Sequence, residues 1–267
     1  MPTDALIDAD ILAYQAASTS EQATDWGDGM WTLHADEKDA KRHFEGMVSS
    51  ILERTNCDEA TLVWSSSTNW RKDIYEPYKS NRSGTRKPMV LKTIREWAQK
   101  EYHSIIEDNL EGDDLLGLLA TNPELDGKYI VCTIDKDMRS VPASHYNFGR
   151  DEFFEVSEFE ADKYHMLQTL TGDATDGYTG CTGVGPKTAE KYLIAAIEEG
   201  TPWAKPEDMK ELYWKHVVKA YEKAGLSEEF ALSQARVARI LRHGEYDFKT
   251  KEVKLWTPAS STLELQS

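Results

Sequence analysis

Short apolar runs, each closed by an acid, alternate along this chain with helix-like stretches. "ALIDADILAYQAAS" precedes the helical "DEKDAKRHFEGMVSSILERT", and then come "ATLVW", a basic segment, "HSIIED", "EGDDLLGLLATN" and "KYIVCTIDKD". This βαβ rhythm predicts an α/β fold, a mainly parallel sheet flanked by helices. Ligands of such sheets gather beyond the carboxyl ends of the strands. The acids fall at those ends: Asp8 follows "ALI", Glu111, Asp113 and Asp114 open the helix after "SII", and Asp135 and Asp137 follow "VCTI".

From about residue 156 the pattern becomes helical. "SEFEADKYHMLQTLTGD", "PKTAEKYLIAAIEEG", "MKELYWKHVVKAYEKAG" and "EEFALSQARVARILR" read as helices, and "EYDFKTKEVKLW" alternates like a terminal hairpin. The expected division is a core over residues 1–155, containing a basic segment at about 70–100, and a helical lobe over 156–267. No apolar run is long enough to span a bilayer, and "MPTDALIDAD" lacks a signal peptide's basic and apolar regions. Cys57, Cys132 and Cys181 are odd in number and scattered, which suits a reducing compartment. The expectation is a cytoplasmic protein with no membrane partner.

A net charge of −16 argues against a nucleic-acid partner until its distribution is considered. Residues 70–100 carry nine Lys or Arg against three acids, whereas residues 101–180 carry eighteen acids against five bases. A basic island sits beside a concentration of carboxylates. An Asp after a strand is also a common helix N-cap, and E-x-D-D favours a helix dipole without any metal. Capping explains each acid singly better than it explains their joint occurrence. Clustered carboxylates with no Cys or His suit Mg²⁺ or Mn²⁺. Two such ions, roughly 3.5–4 Å apart, can serve phosphodiester hydrolysis.

"GCTGVGPKTAEK" comes within one residue of a nucleotide-binding phosphate loop, but Pro186 stands where the lysine is needed and removes a backbone N–H. The stretch instead suits a hairpin between helices whose glycines and following helix N-terminus face one duplex phosphate, with Lys187 and Lys191 adding charge. Trp64, Trp70 and Trp97 read as core residues before stacking platforms, while Tyr14 and Tyr78 sit in motif positions.

Together "LIDADILAY", "YKSNR", "LEGDDLLG", "TIDKDM" and "GDATDGYTGCTGVGPKTAEK" resemble the 5′-nuclease (flap endonuclease-like) superfamily, in the family's order and over most of the chain. "NWRKDIYEPYKSNR" and "ARILRHGEYDFKTKEVKLW" look especially like the 5′→3′ exonucleases of short-tailed bacteriophages. The resemblance implies a PIN-like nuclease core with a C-terminal helix-three-turn-helix lobe. It implies removal of nucleotides from 5′ ends of duplex DNA, including 5′ flaps and RNA primers on RNA–DNA hybrids, in phage replication and recombination. Asp8, Glu111, Asp113 and Asp114 match one part of the family's metal cluster, and Asp135, Asp137, Asp173 and Asp176 the other. Lys79 and Arg82 match the basic residues that engage the scissile phosphate, at the base of a helical arch within about residues 79–100. Tyr78, Arg86 and Lys87 fall among the implied DNA contacts. Gly183 and Gly185 match the phosphate-binding hairpin, which in relatives also holds K⁺. A monomer is expected.

One departure stands out. The family places an aspartate ligand where this chain has Ser66 in "VWSSSTNW". Two readings of the whole follow: an active metal-dependent 5′ nuclease, or a catalytically weak binder of duplex or branched DNA. A third, an RNase of the wider PIN-like group, explains the acids but not the helical lobe.

Overall fold

The computed structural model describes residues 3–82, 84–200 and 206–258. In chain order the elements are β1 (Asp4–Asp8), α1 (Ala9–Thr19), β2 (Glu21–Asp25), β3 (Trp31–Ala35), α2 (Glu37–Thr55), β4 (Glu59–Trp64), α3 (Arg71–Ile74), α4 (Leu91–Glu101), β5 (Ser104–Ile106), α5 (Gly112–Ala120), β6 (Tyr129–Cys132), β7 (Ala143–Asn147) and β8 (Glu152–Val156). They continue with α6 (Glu158–Thr171), α7 (Pro186–Glu199), α8 (Pro206–Lys223), α9 (Glu228–Ala238), β9 (Tyr246–Asp247) and β10 (Glu252–Val253). The chain divides into two compact units that are not consecutive blocks. Residues 1–68, 84–136 and 143–155 form the first, and residues 69–83, 137–142 and 156–267 the second.

The first unit is built on a six-stranded sheet ordered β5-β4-β1-β6-β7-β8. β1 pairs in parallel with β4 and β6, β4 with β5, and β6 with β7. β1 is buried along its whole length, as expected of a parallel strand covered on both faces. Ala5, Ile7, Leu62, Trp64, Ile130 and Cys132 join one core with Leu12, Phe44, Val48, Ile51, Ile94 and Ala98 of α1, α2 and α4. On the alternate residues α5 packs against β1, β4 and β6, burying Leu115 and Leu116.

Helix boundaries follow local chemistry. Asp36 accepts from the N–H groups of Lys38 and Asp39 to start α2, and Asn56 ends it in the left-handed region at φ 53°. Trp97, expected on the arch, packs edge-on to Phe44 at 5.9 Å between ring centroids. The last part of the expected arch is therefore α4, whose apolar face belongs to the core; a helix carrying Ile94, Trp97 and Ala98 on one side buries that stripe. Of the "SGTRKP" loop, Ser83 lies outside the described residues. β2 and β3 form an antiparallel ribbon missed by the sequence reading, and its Trp26, Met30 and Trp31 are more than 60% exposed.

The second unit is helical. Met166, Leu170, Leu193, Tyr213, Trp214, Val217, Tyr221 and Ala235 make its core, contributed by α6, α7, α8 and α9. Ser157 opens α6 with a reciprocal capping box to Glu160. Pro186 occupies the first turn of α7, where its missing N–H costs nothing. β9 and β10 pair antiparallel, giving the expected terminal hairpin. Among the described residues no helix is long and apolar enough to cross a membrane. All three cysteines are free and buried, and burial raises each thiol pKa.

Candidate active site

In the first unit the carboxyl ends of β1, β4 and β6 carry a polar network. Asp8 ends β1 and caps α1, accepting from the Ile11 N–H at 3.4 Å. The Thr133 hydroxyl, just beyond β6, donates to Asp8 Oδ2 at 3.0 Å and accepts the Asp135 N–H at 3.0 Å. One hydroxyl thus links the two strand ends. Burial first, then the Asp10 and Asp135 carboxylates, push the Asp8 carboxyl up to about 7, against the hydrogen bonds from Thr133 and Ile11.

Asp10, not among the residues singled out from sequence, organises the end of β4. It accepts the Ser65 N–H at 2.7 Å and pairs with the Arg95 guanidinium at 3.0 Å. Arg95 also donates to the Ser65 carbonyl and lies over the Trp64 ring. The two-residue spacing of Asp8 and Asp10 was the available signal. Ser65 Oγ in turn accepts the Gly112 N–H at 2.9 Å, and the Ser66 N–H donates to the Leu110 carbonyl at 2.8 Å. These two bonds fix the start of α5, which carries Glu111, Asp113 and Asp114. Asp114 is fully buried and accepts the Glu111 N–H at 3.3 Å. Capping is therefore a real part of what Asp8 and Asp114 do. Ser66 Oγ itself lies 3.4 Å from the Thr68 hydroxyl, a local turn contact.

Arg86 has its guanidinium on both Glu21 oxygens, at 2.8 and 2.6 Å, and the Met89 N–H joins the same carboxylate at 2.8 Å. Those bonds hold the Glu21 carboxyl down to about 2. Lys87 is exposed.

The second unit gathers the remaining candidates around "YKSNR" and "GDATDGY". Burial raises the Tyr178 hydroxyl pKa, and the Asp137, Asp173 and Asp176 carboxylates raise it further, so three of the expected acids share one environment. Asp176 accepts from the Tyr78 hydroxyl at 3.0 Å and from Arg82 at 2.6 Å, and pairs with Lys79 at 3.6 Å. Lys79 has a left-handed backbone, φ 53°, held by its N–H on the Asp176 carbonyl at 2.8 Å. Asn81 donates to the Ala174 carbonyl at 2.9 Å. Asp173 turns the loop by accepting the Thr175 N–H at 2.7 Å and bridges Tyr178. The neck of this loop is narrow: a Cβ on Gly180 would lie 2.2 Å from the Gly172 nitrogen, and one on Gly172 would lie 2.4 Å from the Thr179 carbonyl carbon.

Arg71, counted in the basic island, does not face solvent. It is 2% exposed and donates to the Val237 and Arg239 carbonyls, satisfying the end of α9. Trp64 and Trp70 are buried, as their core reading requires, and Tyr14 is exposed. Gly183 (φ 78°) and Gly185, the N-cap of α7, are exposed with no heavy atom within 4 Å of where a Cβ would stand, and Lys187 and Lys191 lie exposed on the first two turns of α7. That surface leaves backbone and helix N-terminus open to an anion.

Among the described residues, no three His, Cys, Asp or Glu side chains come together as a group that could hold a metal ion. This is compatible with Mg²⁺, which keeps several waters and takes one or two carboxylates together with substrate phosphate. A buried Asp8 destabilised by neighbouring carboxylates is a donor set that a divalent cation would relieve.

Residues 4–170 match the family described as "5′-3′ exonuclease, N-terminal resolvase-like domain". The chain is 32% identical to the exodeoxyribonuclease of Enterobacteria phage T3, with 96% of this chain and 93% of that protein covered. It is equally 32% identical to the exonuclease of Escherichia phage T7, covering 95% and 93%. Its fold is similar to that of T5 5′-exonuclease with divalent zinc ions bound, at a TM-score of 0.56 and 13% identity over 88% of this chain and all of that one.

Proposed function

The chain belongs to the 5′–3′ exonuclease family and is a 5′ nuclease, and we propose that it hydrolyses phosphodiester bonds at the 5′ ends of duplex DNA during phage replication and recombination. Blunt ends, 5′ flaps and RNA primers in RNA–DNA hybrids are its substrates, and it works as a monomer in the host cytoplasm. The observation that carries this reading is the clamp of Tyr78, Lys79 and Arg82 on Asp176, which keeps two cations beside the carboxylates around Tyr178.

Asp8, Glu111, Asp113 and Asp114 would hold one part of a Mg²⁺ or Mn²⁺ cluster and Asp135, Asp137, Asp173 and Asp176 the other, with two ions in all. The ions supply polarisation of the phosphoryl oxygens and activation of water. Lys79 and Arg82 bind the scissile phosphate and stabilise the charge developing on it. Arg86 and Lys87 contact the DNA, while Tyr78, expected to do so, is 3% exposed and acts through its hydroxyl on Asp176. The Gly183 and Gly185 amides, with Lys187 and Lys191, grip a backbone phosphate without reading sequence, K⁺ completing the hairpin. Residues 156–267 act as the DNA-binding lobe of a nuclease core spanning 1–155.

Ser66 favours a second reading, a binder of duplex or branched DNA with little turnover. Incubating 5′-labelled blunt, nicked and flapped duplexes with and without Mg²⁺ separates the two. Mg²⁺-dependent release of labelled nucleotide supports the nuclease; retention of bound, uncut DNA supports the binder.

A further inference from the structure

The loop that follows β4 is held by charged side chains from outside its own strand. Ser65 has both of its backbone groups engaged: its N–H donates to Asp10 Oδ2 at 2.7 Å, and its carbonyl accepts from the Arg95 guanidinium. Arg95 closes the ring by donating to Asp10 Oδ1 at 3.0 Å. Side chains of α1 and α4 therefore meet at one peptide just beyond β4. The guanidinium also lies 5.3 Å from the centroid of the Trp64 ring, whose indole N–H donates to the Ser104 hydroxyl at 3.2 Å. Ile94 and Ala98, on either side of Arg95 in sequence, are fully buried, so α4 gives Arg95 a fixed base.

The same residue meets α5. Ser65 Oγ accepts the Gly112 N–H at 2.9 Å, and the neighbouring Ser66 N–H donates to the Leu110 carbonyl at 2.8 Å. The approach is close: a Cβ on Gly112 would stand 3.4 Å from Ser65 Oγ and 3.6 Å from the Trp64 carbonyl carbon. A displacement of residue 65 is thus passed to the first turn of α5, which opens at Glu111 and carries Asp113 and Asp114.

As a source of stability the ion pair is weak. The Arg95 and Asp10 side chains are 31% and 33% exposed, and ion pairs in contact with solvent contribute little to folding. What the arrangement supplies is direction. A guanidinium is a planar fork, so its bonds to a carboxylate and to a carbonyl fix both partners in one plane, where a single ammonium bond would not.

We propose that Arg95 and Asp10 are positioning residues of the nuclease, holding the Ser65 peptide so that α5 starts where its acids serve the site at the carboxyl ends of β1 and β4. The inference rests on the proposed function for what those acids do. Arg95 acts through Ser65 and Gly112, and its charge is matched by Asp10 rather than by substrate.

Arg95→Ala, Arg95→Lys and Asp10→Asn test this in the full chain, through single-turnover cleavage of 5′-labelled duplex with Mg²⁺ and duplex affinity at fixed salt. In Arg95→Ala the rate should fall by about 10- to 100-fold, the scale of a small misplacement of a reacting group, with affinity unchanged. Arg95→Lys, which keeps the charge without the fork, should restore part of that rate. Asp10→Asn keeps an acceptor for the Ser65 N–H and should slow cleavage in the same direction. The variant carrying both Arg95→Ala and Asp10→Asn should be no slower than the slower single one, because the two residues act as a unit. An unchanged rate in Arg95→Ala overturns the inference. So do additive losses in the double variant, and so does a fall in affinity that matches the fall in rate, which would make Arg95 a phosphate contact.

Amide hydrogen exchange at Gly112 supplies a readout that does not need turnover. Its N–H should exchange faster in Arg95→Ala while urea unfolding of the whole chain stays little changed. Unchanged protection overturns the inference even where cleavage falls. If the natural chain leaves duplex uncut, the functional reading fails, and faster exchange at Gly112 still supports the hold of Arg95 on α5.

Discussion

Arg82 donates to the carboxylate of Asp176 at 2.6 Å, and Asp176 also takes the Tyr78 hydroxyl and pairs with Lys79. A single acid therefore sets the position of both cations proposed to meet the scissile phosphate. Asp176→Asn keeps the shape and removes the charge. Single-turnover cleavage should fall by about 100-fold, the scale of losing one preorganised transition-state contact. Duplex affinity, measured at fixed salt, should not weaken, because two cations are freed. A drop in affinity matching the drop in rate would show that Asp176 serves binding instead.

Ser66 stands where the family's aspartate is expected, and its hydroxyl carries no charge. Ser66→Asp should lower the Mg²⁺ concentration giving half-maximal rate several-fold, by adding a carboxylate to an oxygen-ligand site. An Mg²⁺ titration of cleavage measures it. An unchanged midpoint would remove residue 66 from the metal-binding set.

Thr133 offers a pH test. Its hydroxyl stabilises the ionised form of Asp8, whose carboxyl is already pushed up to about 7. Since the folded value is above the unfolded one, the folded chain retains a proton between about 4 and 7. That contribution to stability is present at low pH and lost as pH rises through about 7. Thr133→Val removes an interaction that favours the charged form. The midpoint of Mn²⁺ binding against pH should therefore move upward, and the metal-free protein should lose more stability on going from acid to neutral pH.

His165 titrates in the opposite sense. It is buried, and its folded pKa lies well below 6.5. Below about 6.5 the unfolded chain takes a proton that the folded chain refuses, so stability is lost as pH falls from that point. His165→Gln keeps a donor for the Ala235 carbonyl and removes the titration. Relative to it, the natural chain should lose about 1.4 kcal/mol per pH unit below about 6.5, until the folded group itself protonates. Urea unfolding at several pH values gives the difference.

The alternation of apolar runs and helices places the parallel strands β1, β4 and β6, which are mostly buried and therefore apolar, whereas the largely exposed β8 carries no such run. Pro186 was readable as a helix start for a reason confined to its own N–H. Arg71 and Arg95 were not readable. Both lie in a basic island, and only the fold reveals that one satisfies the end of α9 while the other neutralises Asp10. Local spacing holds no record of a partner 85 residues away in sequence. The β2–β3 ribbon escaped for another reason: its tryptophans face outward, so burial supplies no pattern to detect.

Gly172 and Gly180 approach so closely that neither tolerates a side chain, while Ala174 and Thr175 at the tip of the intervening loop are exposed. Tolerance to substitution is consequently uneven over the nine positions 172–180. The tip can exchange residues, and with them the chemistry it presents, without disturbing the helices that anchor it. The two glycines admit no such drift, and an insertion between them lengthens a loop instead of parting its roots. Residues 174 and 175 can thus change what the loop presents, while Asp173, Asp176 and the glycines that attach it to the helical unit stay fixed.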